Sequence, residues 1–461
     1  MSIEPPATQH RFPTTITAIC TAAAPAGVGI VRLSGPHAVH VAQRLFRPFS
    51  GLILGEEPRR VLVGAVLGRH GEEIDQGLAW IFRCPNSFTG EDVAEISAHG
   101  SVMVLEALVR AALDYGAVLA EPGEFTRRAF LNGKMDLVQA EAVADLINAA
   151  GQFSLDQAYG LLKGQLSSRI RSIGQHISKV LAQVGALLDF PDDVVLAAPA
   201  LRPTLGSAIE QCSALTGTFS TYLRRKEGAG VAIIGPPNVG KSSIFNLLLS
   251  ESRAIVSPLP GTTRDLIEAR LYLGGQICRL IDTAGIRSAD DPVELEGVER
   301  ALSAFEQADL VLLVLDISHP WEPGFEALLA RAKPDRCLLV LNKADLPSHL
   351  SLPENLLFHT VRLSALTGEG LAQVLEFLRC RQVLSQERPE IGVTRQRHLQ
   401  SLMRVQHHLG LADTQLQQEI PLAECVAEDL RLALNEIDLL LGAKFSEEAL
   451  NIIFSEFCIG K

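Results

Sequence analysis

Short apolar runs punctuated by glycine and proline fill the first 130 residues: Ile16–Ile19, Val28–Leu33, Val61–Val66 and Leu78–Phe82. Runs of this length between turn-forming residues predict strands, and the helical spacing of Val102–Leu113 predicts a helix among them. The region reads as an α+β domain. Between Gly123 and Phe190 there is no proline, and apolar residues recur every three or four positions. Leu137, Ala140, Val143, Ala144 and Ile147 form one such series, and Leu161, Leu162, Leu166, Ile170, Ile173, Ile177 and Leu181 form another. Long helices are expected there, then a proline-containing break at Pro191–Pro203, then a further helix to about Arg225. The pattern changes at Gly228. Val231–Ile234, Ile277–Ile281, Leu310–Leu315, Cys337–Leu341 and Thr360–Leu363 are strand-like runs separated by helical stretches, as in βαβ units with a parallel sheet. Beyond Cys380, His398–Gly410 and Leu422–Phe457 return to helical spacing. The expected architecture is multidomain: an N-terminal α+β domain over 1–130, a discontinuous all-α helical domain over 131–225 and 380–461, and an α/β domain inserted at 226–379.

The inserted domain carries a series of motifs, each following a predicted strand. Gly235-Pro-Pro-Asn-Val-Gly240-Lys241-Ser242 fits G-x-x-x-x-G-K-[ST] and opens the helical run Ile244–Leu249. Its glycines let backbone amides close on phosphate oxygens, Lys241 neutralises the β- and γ-phosphates, and the Ser242 hydroxyl is the expected Mg²⁺ ligand. Asn238, Val239, Gly240 and Ser243 complete the expected phosphate contacts. Asp282-Thr283-Ala284-Gly285 ends the next strand, with a carboxylate for the Mg²⁺ shell and a Gly285 amide for the γ-phosphate. Between them, Gly261-Thr262-Thr263-Arg264-Asp265 is the expected switch, with Thr263 as a second Mg²⁺ ligand. Asn342-Lys343-Ala344-Asp345 supplies base recognition: a buried Asp345 carboxylate accepts from guanine N1–H and N2–H₂, a donor pair that adenine lacks. Asn342 supports the base edge and the Lys343 stem packs over the ring. Ser364-Ala365-Leu366 offers a backbone amide to the guanine O6. In this order the motifs read as a P-loop GTPase, and the domain resembles the translation-factor-related class. Ile286 follows Gly285, where many signalling GTPases carry a water-orienting Gln, so catalysis needs another polar group. Asp290, Asp291, Glu294 and Glu296 are the nearest candidates, and the spacing does not choose among them.

Composition narrows the setting. The 461 residues are 47% hydrophobic and 20% charged, which excludes a largely disordered chain. Lys+Arg number 41 against 53 Asp+Glu, a net charge of −12, which argues against coating nucleic acid or anionic membrane through overall charge. Two local basic stretches stand out: Lys163, Arg169, Arg171 and Lys179, and five arginines between Arg379 and Arg397. Both are expected in the helical domain, as a basic face for a polyanionic partner or as solvated helix surface. The eight cysteines lie at least 33 residues apart, without zinc-site spacing, and read as reduced thiols. No apolar run approaches the ~20 residues of a membrane span. The Ala-rich Ile16–Val31 stretch is interrupted by Pro25, Gly27 and Gly29 and does not read as a signal peptide. A soluble, cytoplasmic protein is expected.

Four further stretches carry a resemblance: Gly27-Val-Gly-Ile-Val-Arg32-Leu-Ser-Gly35; Asn86-Ser-Phe-Thr-Gly-Glu-Asp-Val-Ala-Glu95 with His99-Gly100; Pro122-Gly-Glu-Phe-Thr-Arg-Arg-Ala-Phe-Leu-Asn-Gly-Lys134; and Phe457-Cys458-Ile459-Gly460-Lys461. With the P-loop series, the chain resembles the MnmE (TrmE) family of bacterial tRNA-modification GTPases from end to end. The resemblance implies an N-terminal domain that forms a homodimer and binds a tetrahydrofolate derivative (the 5,10-methylene or 5-formyl form). Arg32, Glu95, Lys134 and Lys461 match the folate contacts. It also implies an FAD- and NADH-using MnmG-type partner in a heterotetramer, with tRNA as substrate and no membrane. Together they would add an aminomethyl or carboxymethylaminomethyl group at C5 of the wobble uridine. The same resemblance implies GTP hydrolysis activated by K⁺ and by pairing of GTPase domains. By match, Glu294 is the catalytic carboxylate beside Lys241 and Asp282, and Asn238, Ser257, Leu259 and Thr262 surround the K⁺. Ser257-Pro258-Leu259-Pro260 departs from the family's usual Thr-Asp at its first two positions. Cys458 matches the family's terminal cysteine near the folate site. The alternative is a regulatory or ribosome-assembly GTPase without modification chemistry, which has no need of the folate-type stretches.

Overall fold

The structure is a computed structural model that describes residues 12–22, 25–189, 198–251, 267–273, 276–282, 305–306, 308–320, 329, 331–352, 357–382 and 390–461. Two compact units partition the chain: Met1–Asn148, Ala158–Thr216 and Arg395–Lys461 form one, and Ala149–Gln157 with Gly217–Thr394 form the other.

The first unit begins with a seven-stranded sheet of β1 (Ile16–Ile19), β2 (Ala26–Ser34), β3 (Phe46–Pro48), β4 (Leu62–Leu67), β5 (Glu73–Phe82), β6 (Val93–Gly100) and β7 (Val118–Leu119). Their spatial order is β3-β4-β5-β6-β2-β1-β7, antiparallel except where β7 joins β1. Side chains alternate across a strand, so register decides what shares a face. Val31 and Leu33 of β2, Ala94 and Ile96 of β6, and Ala79 and Ile81 of β5 face α1 (Ala38–Leu45) and α2 (Val102–Asp114) in one core. Each large side chain buried there contributes roughly 1.5–3 kcal/mol by leaving water. The opposite parity sends Arg32, Glu95 and Trp80 to the other face, where they lie side by side because Arg32 registers with Glu95 and Glu95 with Trp80. The strand β6 was not among the predicted apolar runs. Its buried positions Val93, Ala94 and Ile96 pair on both sides, which outweighs the polar residues between them.

Helices α3 (Glu124–Leu131), α4 (Leu137–Ile147), α5 (Gln152–Leu162), α6 (Gln165–Asp189) and α7 (Ala198–Glu227) follow. Asp136 caps α4 by accepting from the Gln139 amide, while the Gln139 side chain accepts from the Asp136 amide. The apolar series from Leu161 to Leu181 reads as one helix but is two. Gly164, at φ +77°, closes α5 by donating to the Leu161 carbonyl, a backbone state that disfavours side chains with a Cβ. Conversely, α7 already begins at Ala198, so Pro203 sits inside a helix rather than in the expected break.

The second unit holds a six-stranded sheet of β8 (Ala229–Ile234), β9 (Ile267–Leu273), β10 (Gln276–Asp282), β11 (Leu310–Asp316), β12 (Cys337–Asn342) and β13 (His359–Arg362), in the order β13-β12-β11-β8-β10-β9. All pairs are parallel except β9 with β10. The near-continuous apolar runs of β8, β11 and β12 are buried, as a sheet covered on both faces requires. Helices α8 (Lys241–Glu251) and α9 (Leu371–Gln382) pack Ile244, Leu248, Val374 and Leu378 onto one face. A parallel arrangement puts the C-terminal ends of β8, β10, β11, β12 and β13 along one edge, where α/β sheets bind ligands.

The chain then returns to the first unit with α10 (Gln396–Leu416), α11 (Ala423–Leu441) and α12 (Glu447–Ser455). Gly442, at φ +80°, separates α11 from the last helix. Leu450, Phe454 and Phe457 pack against Phe130, Leu137, Ala140 and Ala144.

Candidate functional site

The nucleotide-binding motifs occupy the predicted edge of the second sheet. After β8 the chain turns through Asn238 at φ +62° and Gly240 at φ +96°. A Cβ at Gly240 would stand 2.3 Å from the Asn342 amide nitrogen, so this close approach requires glycine. Asn342 is fully enclosed and bridges three motifs. Its Nδ2 donates to the Val239 carbonyl at 2.7 Å, and its Oδ1 accepts from the Ala365 amide at 3.1 Å. One carboxamide thereby ties the phosphate loop, the base-recognition loop and the Ser-Ala-Leu turn together. Lys241 donates to the carbonyls of Gly235 at 3.0 Å and Pro236 at 2.7 Å, and Ser242 and Ser243 are exposed in the first turn of α8. Their position at a helix N-terminus suits an anion.

One expectation for base recognition changes. Asp345 is exposed, not buried, because it lies beyond the end of β12 on the rim, the place from which a carboxylate can meet an arriving base edge. The buried Ser364 hydroxyl donates to Asp345 Oδ1 at 2.5 Å and fixes its direction. In the Ser364-Ala365-Leu366 turn, expected to offer a backbone amide to a guanine O6, the Ala365 amide donates to Asn342 Oδ1. Lys343, at φ +64°, places its Nζ 2.5 Å from Asp316 Oδ2. Asp316 was not singled out, although an acid closing an all-apolar run is a readable signal. Asp282 ends β10 opposite Ile233 of β8. Ser257, Leu259, Thr262, Thr263, Thr283, Ala284, Gly285 and Glu294 lie outside the described residues.

The second candidate site is the free-parity face of the first sheet. Arg32 Nε donates to Glu95 Oε1 at 2.6 Å, and Trp80 Nε1 donates to Glu95 Oε2 at 2.8 Å. The Arg32 guanidinium lies 5.6 Å from the ring centres of both Phe88 and Phe125. The Asn86–Glu95 and Pro122–Lys134 stretches form one structure around this pair. Fully buried Arg128 donates to Glu91, Glu124 and the Thr14 carbonyl, Asn132 holds the Thr89 carbonyl, and Lys134 holds the Pro85 carbonyl at 2.9 Å. The Lys461 carbonyl accepts from the Phe125 amide, which draws the tail to the same helix entry. Burial pushes the Cys20 thiol up, with Arg32 and Lys461 opposing it and Glu95 reinforcing it, which places Cys20 beside these charges. Thus Arg32 and Glu95 pair directly, the Lys461 backbone is fixed at the entry of α3, and Lys134 is tied to the neighbouring loop. Trp80, Phe88, Phe125 and Cys20 were not foreseen. Phe88 and Phe125 lay inside quoted stretches, but Trp80 is found only from strand register. A cavity of about 650 Å³ borders the tail at Cys458 and Ile459, between β1 and α2, and none of the four expected contacts lines it.

Three cations of the basic stretches are held in internal pairs. Arg171 binds Asp136, Arg395 binds Asp145, and Arg397 binds Glu141. Arg379 and Arg381 belong to α9 in the second unit, so the second stretch is not one face of the helical region. No helix among the described residues is long and apolar enough to cross a membrane.

The model "GTP-binding protein TrmE N-terminus" matches residues 15–134, and "MnmE helical domain" matches residues 137–458. The chain is 42% identical over 457 residues to a tRNA modification GTPase MnmE of Geobacter sulfurreducens, covering 97% of this chain and 99% of that one. It is 41% identical to the protein of that name from Chloroflexus aurantiacus (97% and 99% covered) and 38% identical to that from Thermotoga maritima (97% and 100% covered). With both models and relatives matched over nearly the whole length, this chain belongs to the MnmE family of tRNA modification GTPases.

Proposed function

We propose that the chain is a K⁺-stimulated GTP hydrolase that, with an FAD/NADH-dependent MnmG-type protein, drives addition of an aminomethyl or carboxymethylaminomethyl group to C5 of the tRNA wobble uridine. The observation that carries the GTPase reading is the Asn342 bridge, which assembles phosphate and base recognition into one site. Asp345, directed by Ser364, accepts from the guanine edge, and Lys241 exchanges its loop carbonyls for phosphate oxygens. Glu294 orients the attacking water. Ser242 and Thr263 are the proposed Mg²⁺ ligands and Asn238, Ser257, Leu259 and Thr262 the proposed K⁺ ligands, the cations supplying charge neutralisation at the phosphates. The exposed Ser242 hydroxyl at the start of α8 fits that assignment.

On the first sheet, Arg32, Glu95, Lys134 and Lys461 are the proposed contacts of a tetrahydrofolate derivative. The donor set fits. Each Glu95 oxygen has one donor in place and retains acceptor capacity for a pterin N–H, and aromatic rings flank the pair. The N-terminal domain is also the proposed homodimer interface, and the proposed domain limits are 1–130, 131–225 with 380–461, and 226–379. Cytoplasmic tRNA is the proposed substrate. Mass spectrometry of tRNA nucleosides from a strain lacking this chain tests the reading: loss of the C5-modified wobble uridine is expected, and unchanged modification overturns it.

A further inference from the structure

The strand β11 is apolar and buried along its whole length until Asp316, whose carboxylate is itself nearly enclosed. Parallel register puts Asp316 opposite Asn342, so the carboxylate stands beside the first residue of the base-recognition loop. The Ile317 amide donates to the Asn342 carbonyl and locks the two strand ends together. The carboxylate receives the Ser318 amide at 2.9 Å, the Ser318 hydroxyl at 2.6 Å and the Lys343 ammonium at 2.5 Å, with His319 Nδ1 at 3.2 Å. Burial alone would raise this carboxyl. The Lys343 and Ser318 hydrogen bonds and the Lys343 charge instead hold it down at about 2. Lys343 adopts a left-handed backbone conformation that is costly for a long side chain, so both ends of the residue are constrained.

We infer that Asp316 is a positioning residue for guanine-nucleotide binding: it anchors the Lys343 ammonium so that the methylene stem is fixed before the base arrives. A free lysine stem loses rotamer entropy when a ligand packs on it, and anchoring removes that loss from the binding step. The inference rests on the guanine-nucleotide reading of this site. Asp316 also closes its own turn through Ser318, so the test must separate anchoring from a local structural role.

The experiment measures GDP and GTP affinity, with KM and kcat for GTP, on the full chain. Asp316→Asn is expected to weaken affinity about 5–10-fold and raise KM to match, with kcat little changed. Lys343→Met keeps an apolar stem without the anchor and is expected to show a loss of similar size. The double variant is expected to bind no more weakly than the weaker single variant. Ser318→Ala, which disturbs the turn and spares the lysine pair, is expected to stay within about twofold. Multiplying losses in the double variant, or wild-type affinity of Lys343→Met, overturns the inference, and the latter holds even if Asp316→Asn does not fold. A wild-type chain without GTP affinity overturns the nucleotide reading itself.

Discussion

The two candidate sites are built in different ways. In the second unit, recognition groups come from loops at the ends of parallel strands, and each loop is a contiguous stretch. Backbone turns and Asn342 then join stretches that are each already complete. In the first unit, Arg32, Glu95 and Trp80 come from the middles of three antiparallel strands and meet only through register. A one-residue slip of β6 would turn Glu95 into the core and leave Arg32 without its partner. The helical part offers a third case with the same residue types. Glu141 accepts from His398 Nε2 at 2.5 Å and from Arg397, and both Glu141 and His398 are sealed from solvent. Arg32 and Glu95 keep 17% and 13% of their side-chain surface exposed, so a ligand can reach them. The Glu141 cluster joins α4 to α10 and is a structural tie.

That contrast can be broken by substitution. Glu141→Gln should have the largest effect on folding, about 3–5 kcal/mol at neutral pH, because it removes the enclosed carboxylate that both Arg397 and the sealed His398 are bonded to. Burial raises the Glu141 carboxyl, but the charges and hydrogen bonds of His398 and Arg397 more than offset this and lower it from 4.5 to about 2. A lowered folded-state value means that stability is fully present above about pH 4.5 and is lost as pH falls towards 2. Urea unfolding at stepped pH should therefore show a shallower acid dependence for Glu141→Gln than for wild type. Parallel curves would remove the cluster from the account.

Asp345→Asn comes next. It should weaken GTP binding about 100-fold and shift preference to xanthosine triphosphate, since the amide reverses one donor–acceptor pair at the base edge. Unchanged GTP affinity by calorimetry would refute the assigned role. In the first unit, Arg32→Ala should reduce affinity for 5-formyltetrahydrofolate about 10–30-fold and leave GTP turnover intact. Trp80→Phe, which keeps the ring and removes the N–H held by Glu95, should cost about threefold. Equal losses from the two changes would mean that the aromatic face, and not the charge pair, carries recognition.

The sequence made these regions unequally readable. The strands β8, β11 and β12 were legible because a doubly covered parallel sheet requires near-continuous apolar runs. The strand β6 was not, since its Glu95 and His99 alternate with core residues and resemble a polar loop. Gly164 and Gly442 divided series that periodicity joined, because helical spacing continues across a one-residue turn. Trp80 was hidden for a related reason. It acts on Glu95, brought beside it by strand pairing, and pairing is written in no single stretch.

Complementation of a strain lacking this chain tests most directly whether both sites serve one reaction. Wobble-uridine nucleosides would be quantified by mass spectrometry after restoring the wild-type chain, Asp345→Asn or Arg32→Ala at matched protein levels. Full modification is expected with the wild-type chain and strong loss with either variant. Full modification with either one would contradict a joint requirement for the nucleotide and first-sheet sites.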